Sequence, residues 1–229
     1  MAVNGAIKLL GYMPDADPTI IGVLTNCAAM VPSLKGMKGA PAARSAGITV
    51  LSGTCCGAAV LTKLDGTTRF FAGTGTKLQE LAAITAWTDR SRATVYNAAS
   101  DVRWRFAQFG NVSLATNKND TIQSSSSTAF ADISGAPKAG IIETVHQFVF
   151  AFNTDDATYG DSPDRWRCCA LGVETDWTPA ISTQAATGRL TSSPGKIRAG
   201  RRFGDHIIAY KDRSMFLGVY VGPPVIWAF

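Results

Sequence analysis

The sequence is poor in charge. Asp, Glu, Lys and Arg make up 17% of its 229 residues, below the roughly 25% that is usual for soluble domains. The 22 basic residues exceed the 17 acidic ones and give a net charge of +5, but no block of five or six like charges occurs, so contact with nucleic acid is permitted and not required. Because so little charge is available for the surface, we expect partner subunits to cover part of it.

Long apolar runs and an export signal are also missing. No stretch of 18 apolar residues occurs, so we expect no membrane-spanning segment. The start of the sequence carries one lysine and a short apolar run with no small-residue cleavage site behind it, unlike a secretory signal peptide. We therefore expect a protein that is made in a cytosol-like compartment.

Motifs for catalysis are absent as well. The two histidines, His146 and His206, both fall at turns between apolar runs, and neither G-x-S-x-G nor H-E-x-x-H occurs. The run GTGTK at residues 73–77 lacks the four-residue gap of a phosphate-binding loop, which favours a hairpin turn. We predict that the protein is not an enzyme and needs no cofactor.

Metal ligands are not arranged in a known pattern. No C-x-x-C spacing occurs among the cysteines, which are Cys27, Cys55, Cys56, Cys168 and Cys169. Neighbours on a strand point to opposite faces, so we predict small buried side chains, with a metal or disulfide link between the two vicinal pairs as the alternative. The acidic cluster Asp155, Asp156, Asp161 and Asp164 lacks the spacing of an EF-hand, and aspartate is a common turn residue. We predict no metal site.

What the sequence does contain is a unit of about 40 to 50 residues that occurs four times after Cys56. The first copy joins CGAAVLTKL to TTRFFAG through Asp65-Gly66, the strongest short-range signal for a hairpin. Each copy is expected to have four strands, the last marked by a large aromatic residue: Trp87, Phe130, Trp177 and Trp227. The run KLQELAAIT is expected to be a strand and connection rather than a helix, and DDATYGDSPD a long loop.

The repeat predicts an all-β fold of β-propeller-like repeats, each a four-stranded antiparallel sheet. One such sheet cannot bury both of its faces, whereas stacked sheets bury each other's faces. We assign residues 51–229 to a β-propeller-like domain of about four blades, which are few for a closed ring. A β-sandwich or barrel is the alternative, because it also uses short strands joined by frequent turns.

The first fifty residues differ in texture from the rest. They contain Pro14, Pro18, Pro32 and Pro41 among many small residues, and proline disfavours helices and central strands. We predict that residues 1–50 form an extended Pro-rich arm with one or two short strands, which wraps a neighbouring subunit.

Basic residues supply the remaining candidates for function. Several flank tryptophans at positions i and i+2, which lie on one face of a strand. The candidates for a subunit interface or a DNA channel are Arg103, Arg105, Arg165, Arg167, Arg198, Arg201, Arg202, Lys211 and Arg213. Arginine at such positions contacts phosphates or pairs and stacks at an interface, and we favour the interface.

Four segments together resemble the tail nozzle proteins of short-tailed bacteriophages, also described as tail tubular protein B-like or tail hub proteins. The segments are GYMPDADPTIIGVLTNCAAMVPSLKGMKGAP, RWRFAQFGNVSLATNKND, AGRRFGDHIIAYKDRSMFLG and VGPPVIWAF. Relatives that contain such segments continue beyond a W-x-F ending like Trp227-Ala228-Phe229. The resemblance therefore implies a shortened chain, or a variant whose propeller other subunits complete.

The resemblance implies a structural component of the virion that is assembled in the host cytoplasm. Nozzle proteins form a homo-oligomeric ring, usually of six copies, below the portal and adaptor rings, and they hold tail fibres or spikes. The ring extends the DNA ejection channel, so contact with passing double-stranded DNA is transient and non-specific. The alternatives are a receptor- or carbohydrate-binding tail module and a small DNA-binding protein.

Overall fold

The computed structural model describes residues 11–21, 23–25, 29–33, 36–40, 47–83, 85–98 and 102–229. The chain forms two compact units, Met1–Ala46 and Gly47–Phe229. All regular secondary structure among the described residues is β, which confirms the all-β prediction.

Short strands make up the described part of the first unit. The strands are β1 (Gly11–Tyr12), β2 (Val23–Leu24), β3 (Met30–Ser33) and β4 (Gly36–Gly39). β1 and β2 pair in parallel, and β3 and β4 form an antiparallel hairpin. The sequence predicted one or two strands in this segment, and the described residues contain four. Cys27 lies outside the described residues.

The second unit contains four antiparallel sheets of four strands each, every one following chain order. The first sheet comprises β5 (Gly57–Thr62), β6 (Thr68–Gly73), β7 (Leu78–Ala83) and β8 (Ala86–Asp89). The second comprises β9 (Arg105–Phe109), β10 (Val112–Thr116), β11 (Gln123–Ser125) and β12 (Ala131–Asp132). The third comprises β13 (Lys138–Val145), β14 (Phe148–Asp156), β15 (Gly160–Cys168) and β16 (Ala186–Arg189). The fourth, or last, comprises β17 (Ile197–Phe203), β18 (His206–Lys211), β19 (Met215–Gly222) and β20 (Ile226–Ala228).

The turn between the first two strands is equivalent in the four sheets. Gly66, Gly110, His146 and Gly204 occupy it, and all four have a positive φ between 50° and 82°. Glycine adopts this conformation without steric cost, which explains its use at three of the four turns. The run GTGTK also forms a turn, as predicted, and its ends are joined by the hydrogen bond from Thr74 N to Lys77 O.

Two details of the repeat were predicted wrongly, both in the third sheet. Trp177 lies in the connection between β15 and β16, and the fourth strand is Ala186–Arg189. The stretch DDATYGDSPD is no long loop, because β14 and β15 extend through it as a hairpin. Its tight turn is held by the Asp156 carboxylate, which accepts hydrogen bonds from Thr158 N and Tyr159 N at 2.9 Å each.

Apolar layers separate the sheets in chain order. One layer joins the first and second sheets, a second joins the second and third, and a third joins the third and fourth. The first strands β5, β9, β13 and β17 are each in contact with the next. Each of the two inner sheets is therefore buried on both faces, whereas each end sheet packs against a neighbour on one face.

Candidate functional site

The first strands of all four sheets line one cavity of about 210 Å³. Strand β5 contributes small side chains, and β13 contributes Ile141 and Ile142. Three of the predicted basic candidates also line the cavity, namely Arg105, Arg198 and Arg201. The fold thus brings together residues that are far apart in the sequence.

Carboxylates neutralise two of these three arginines. Arg198 Nε lies 2.5 Å from Asp212 Oδ1, and an Arg201 guanidinium nitrogen lies 3.3 Å from Glu143 Oε2. Hydrogen bonding to Arg198 lowers the pKa of Asp212 from its ordinary value. The exposed Arg105 guanidinium has no hydrogen-bond or ion-pair partner among the described residues. The cavity therefore offers one uncompensated positive charge.

Two other candidates are used inside the fold. Arg167 is 5% exposed; it donates to the Asp156 carboxylate at 2.9 Å and to the Trp177 carbonyl at 2.5 Å. Lys211 is also buried, and its ammonium donates to the carbonyls of Leu190 and Ser193. These two side chains tie loops to the third and last sheets.

The remaining candidates are more accessible. Arg165 stacks over the Tyr159 ring at 4.1 Å from its centroid. Arg202 is exposed and donates to the Gly204 carbonyl. Arg103 is exposed just before β9, and Arg213 is exposed in the turn between β18 and β19. Apart from the three in the cavity, the fold does not gather the candidates into one site.

A groove of about 420 Å³ lies beside the hairpin of the third sheet. Asp155, Asp156, Tyr159 and Trp177 are among the residues that line it. Asp156 is occupied by Arg167, and a carboxylate oxygen of Asp155 lies 4.0 Å from the Lys138 ammonium. No described group of three or more His, Cys, Asp and Glu residues could hold a metal ion.

The outward face of the last sheet is largely exposed and is apolar apart from Arg201, and we call it the last-sheet face. Its members alternate along the strands with side chains that pack on the third sheet. They are Arg201, Phe203, Ile208, Tyr210, Met215, Leu217, Val219 and Val221. Phe203 is 65% exposed and Met215 is 67% exposed. The sequence carried a signal for this surface, because β19 is apolar at almost every position, as strands buried on both faces are.

The outward face of the first sheet is apolar in part, and we call it the first-sheet face. By register it also carries the polar Thr62, Thr68 and Gln79, and its apolar members are Val60, Phe70, Leu81 and Trp87. Val60 is 61% exposed, the other three apolar members are half-buried, and the Phe70 and Trp87 rings meet edge to face at 5.4 Å. The series of stacked sheets thus ends in an at least partly apolar face on each side.

The cysteines do not form a reactive cluster among the described residues. Cys56, Cys168 and Cys169 are buried free thiols, and Cys55 is an exposed one. Burial raises the pKa of the Cys168 thiol and raises that of Cys169 to about 12. The prediction of small buried side chains is confirmed for three of the four.

Comparisons with known proteins identify no family for this chain. No protein-family model matches it, and no curated protein matches it. A crystal structure of the computationally designed Ika4 protein is similar at 7% sequence identity and a TM-score of 0.46, over 74% of this chain and 93% of that one. Among the described residues, no helix is long and apolar enough to cross a membrane.

Proposed function

We propose that this chain is a structural subunit of a multi-chain assembly. The last-sheet face is the observation that carries the proposal, because both faces of the two inner sheets are buried by neighbouring sheets, whereas this apolar face is exposed. Burial of one large apolar side chain contributes about 1.5–3 kcal/mol. The face exposes five such side chains by 39–67% each, so a partner that covered it would gain on the order of 5 kcal/mol.

The particular assembly that we propose is the tail nozzle of a short-tailed bacteriophage. The four segments that resemble nozzle proteins support this assignment, and so does the low charge of the chain. Six copies in a ring, with the portal or adaptor ring above and fibres or spikes at the periphery, follow from the same resemblance. The function is conduction of the genome without chemistry on it.

A DNA channel in such a ring would run between copies of the chain. The cavity inside one chain has a volume of about 210 Å³, equivalent to a sphere roughly 7 Å across, while the major groove alone is about 12 Å wide. A lumen that conducts DNA must also bind it weakly, since each neutralised phosphate adds to affinity. The pairing of Arg198 and Arg201 with carboxylates suits weak binding.

Native mass spectrometry followed by electron microscopy tests this proposal. We expect a closed ring of several copies with a central opening of roughly 20 Å or more, the width that duplex DNA needs. We also expect weak DNA binding with a shallow dependence on salt. A chain that forms no ring, or whose DNA affinity falls steeply with salt, contradicts the nozzle.

A carbohydrate-binding tail module is a second candidate because of the groove beside the third sheet. Its lining combines the Tyr159 ring, which is 37% exposed, with the half-exposed Asp155 carboxylate. Titration of host polysaccharide tests it, with Asp155→Asn as the variant and Asp161→Asn as the control outside the groove. Saturable binding that only Asp155→Asn weakens favours this candidate, and absence of binding removes it.

A further inference from the structure

The three interfaces between consecutive sheets share one arrangement. We call the face of a sheet that points toward the preceding sheet its front face and the opposite face its rear face. At each interface, the rear face of one sheet packs against the front face of the next sheet along the chain. Leu61 and Phe71 of the first sheet meet Phe106 of the second, and Phe152 of the third meets Gly200 of the last. By continuity, the surface that suits the last-sheet face is a front face of the same kind, and the first-sheet face is the one left unpaired.

The chain does not bring its own two end faces together. Val60 on one face and Met215 on the other are each exposed by more than 60%. Nevertheless, the series of sheets bends around an axis, because the first strands of all four line the same cavity. A series that bends and ends in two complementary faces closes when further sheets fill the gap.

We propose that a second copy of this chain fills the gap. The last-sheet face of each copy packs against the first-sheet face of the other, and a two-fold axis relates the two copies. Each chain has four sheets, so the pair closes a ring of eight, at the upper end of the range of about four to eight blades that propellers typically have. This inference rests on the proposed function only in that both require the last-sheet face to be covered.

The available area suits a stable pair. Strands β17 to β19 have six to eight residues, so a four-stranded sheet measures roughly 15 Å by 20–25 Å and one face offers about 350 Å². The two end faces of one chain together offer about 700 Å² as flat rectangles, before the additional area of the protruding side chains is counted. A standard stable interface buries about 800 Å² per partner.

Complementation between two variants tests the pairing. Leu217→Arg places a charge in the last-sheet face, and Val60→Arg places one in the first-sheet face. Each variant damages both interfaces of its own pair, so each alone should be monomeric by native mass spectrometry. A mixture keeps one intact interface, between the normal first-sheet face of one variant and the normal last-sheet face of the other. We expect that mixture to give a one-to-one heterodimer.

Ile181→Arg is the matched control, because Ile181 is 60% exposed in the connection before β16 and belongs to neither face. It should pair like the wild type, and circular dichroism should show that all three variants keep the β-sheet signal. A monomeric wild type, pairing by either single variant, or a mixture that stays monomeric overturns the inference. If the wild type assembles into rings of more than two copies with a central opening, and forms no closed pair, the pairing is wrong and the nozzle stands. If closed pairs form but never such a ring, the pairing stands and the nozzle is wrong.

Discussion

Loss of the Glu80 carboxylate should destabilise the second unit strongly. This carboxylate lies between two guanidinium groups: Arg69 Nε at 2.6 Å and Arg90 Nε at 2.7 Å. Arg69 also donates to Ser125 and Thr128 of the second sheet, so the carboxylate holds the side chain that joins the first two sheets. Removal of one partner from a buried ion pair costs about 3–5 kcal/mol. We expect Glu80→Ala to lower the free energy of unfolding by at least 3 kcal/mol, roughly the low end of that range.

Urea unfolding followed by tryptophan fluorescence measures the effect. With a slope of about 1–3 kcal/mol per molar urea, the midpoint should fall by at least 1 M, roughly the shift that the largest slope gives. Lys77→Ala is the control in the same sheet, because Lys77 pairs with Asp89 at 2.9 Å but both side chains are almost half exposed. Such a pair contributes about 0–1 kcal/mol. Equal losses in the two variants would refute the role assigned to Glu80.

The contact of Glu80 with its two arginines should also make the stability of the fold depend on pH, in a direction that can be stated. Burial raises the pKa of Glu80, but hydrogen bonds and charges from Arg69 and Arg90 outweigh it and leave the pKa below its ordinary value. A carboxylate whose pKa is depressed by folding stabilises the fold above its unfolded pKa of about 4.3. The difference in unfolding free energy between wild type and Glu80→Ala should therefore be full at pH 7 and shrink as the pH falls below 4, roughly through the folded-state pKa.

Three further experiments test the packing and the accessibility of the thiols. In native protein at pH 8, iodoacetamide should label the exposed Cys55 but spare the buried Cys168–Cys169 pair. Mass spectrometry of the peptides, with and without denaturant, measures the labelling. Labelling of the buried pair without denaturant contradicts the prediction. Gly200→Ala places a Cβ 2.6 Å from an aromatic ring of the third sheet and should cost about 1–3 kcal/mol, whereas Gly53→Ala, with its nearest neighbour at 3.7 Å, should leave the melting temperature nearly unchanged. Arg167→Ala leaves a buried carboxylate unpaired and should cost about 3 kcal/mol in urea unfolding.

The sequence predicts most of the strands because hairpin turns have a local cause. Gly66, which follows Asp65, and Gly110 have a positive φ, which restricts the residues that can occupy these positions. The third sheet was harder to predict because its hairpin extends beyond the apolar core. There the backbone ladder and polar contacts, such as that of Arg167 with Asp156, maintain the strands in place of apolar packing, so a polar composition such as DDATYGDSPD resembles a loop.

Aromatic spacing was a less reliable guide than the turns. The distance of Trp177 from the other large aromatic residues fits the repeat and predicts that it lies in a fourth strand. It fills the same kind of position in the core, being 2% exposed, but it reaches the core from a connection, where its Nε1 donates to the Glu174 carbonyl. Burial requires a large apolar side chain and does not specify the backbone that carries it.

The predicted arginines show why sequence alone could not locate a site. Arg103-Trp104-Arg105 and Arg165-Trp166-Arg167 have the same pattern, and the tryptophan is buried in both. Arg167 is buried because the extended hairpin of the third sheet places Asp156 beside it. The second sheet has no such extension, and Arg105 lies in the cavity without a carboxylate partner among the described residues. The neighbouring strand therefore decides whether such an arginine stabilises the fold or remains available to a partner.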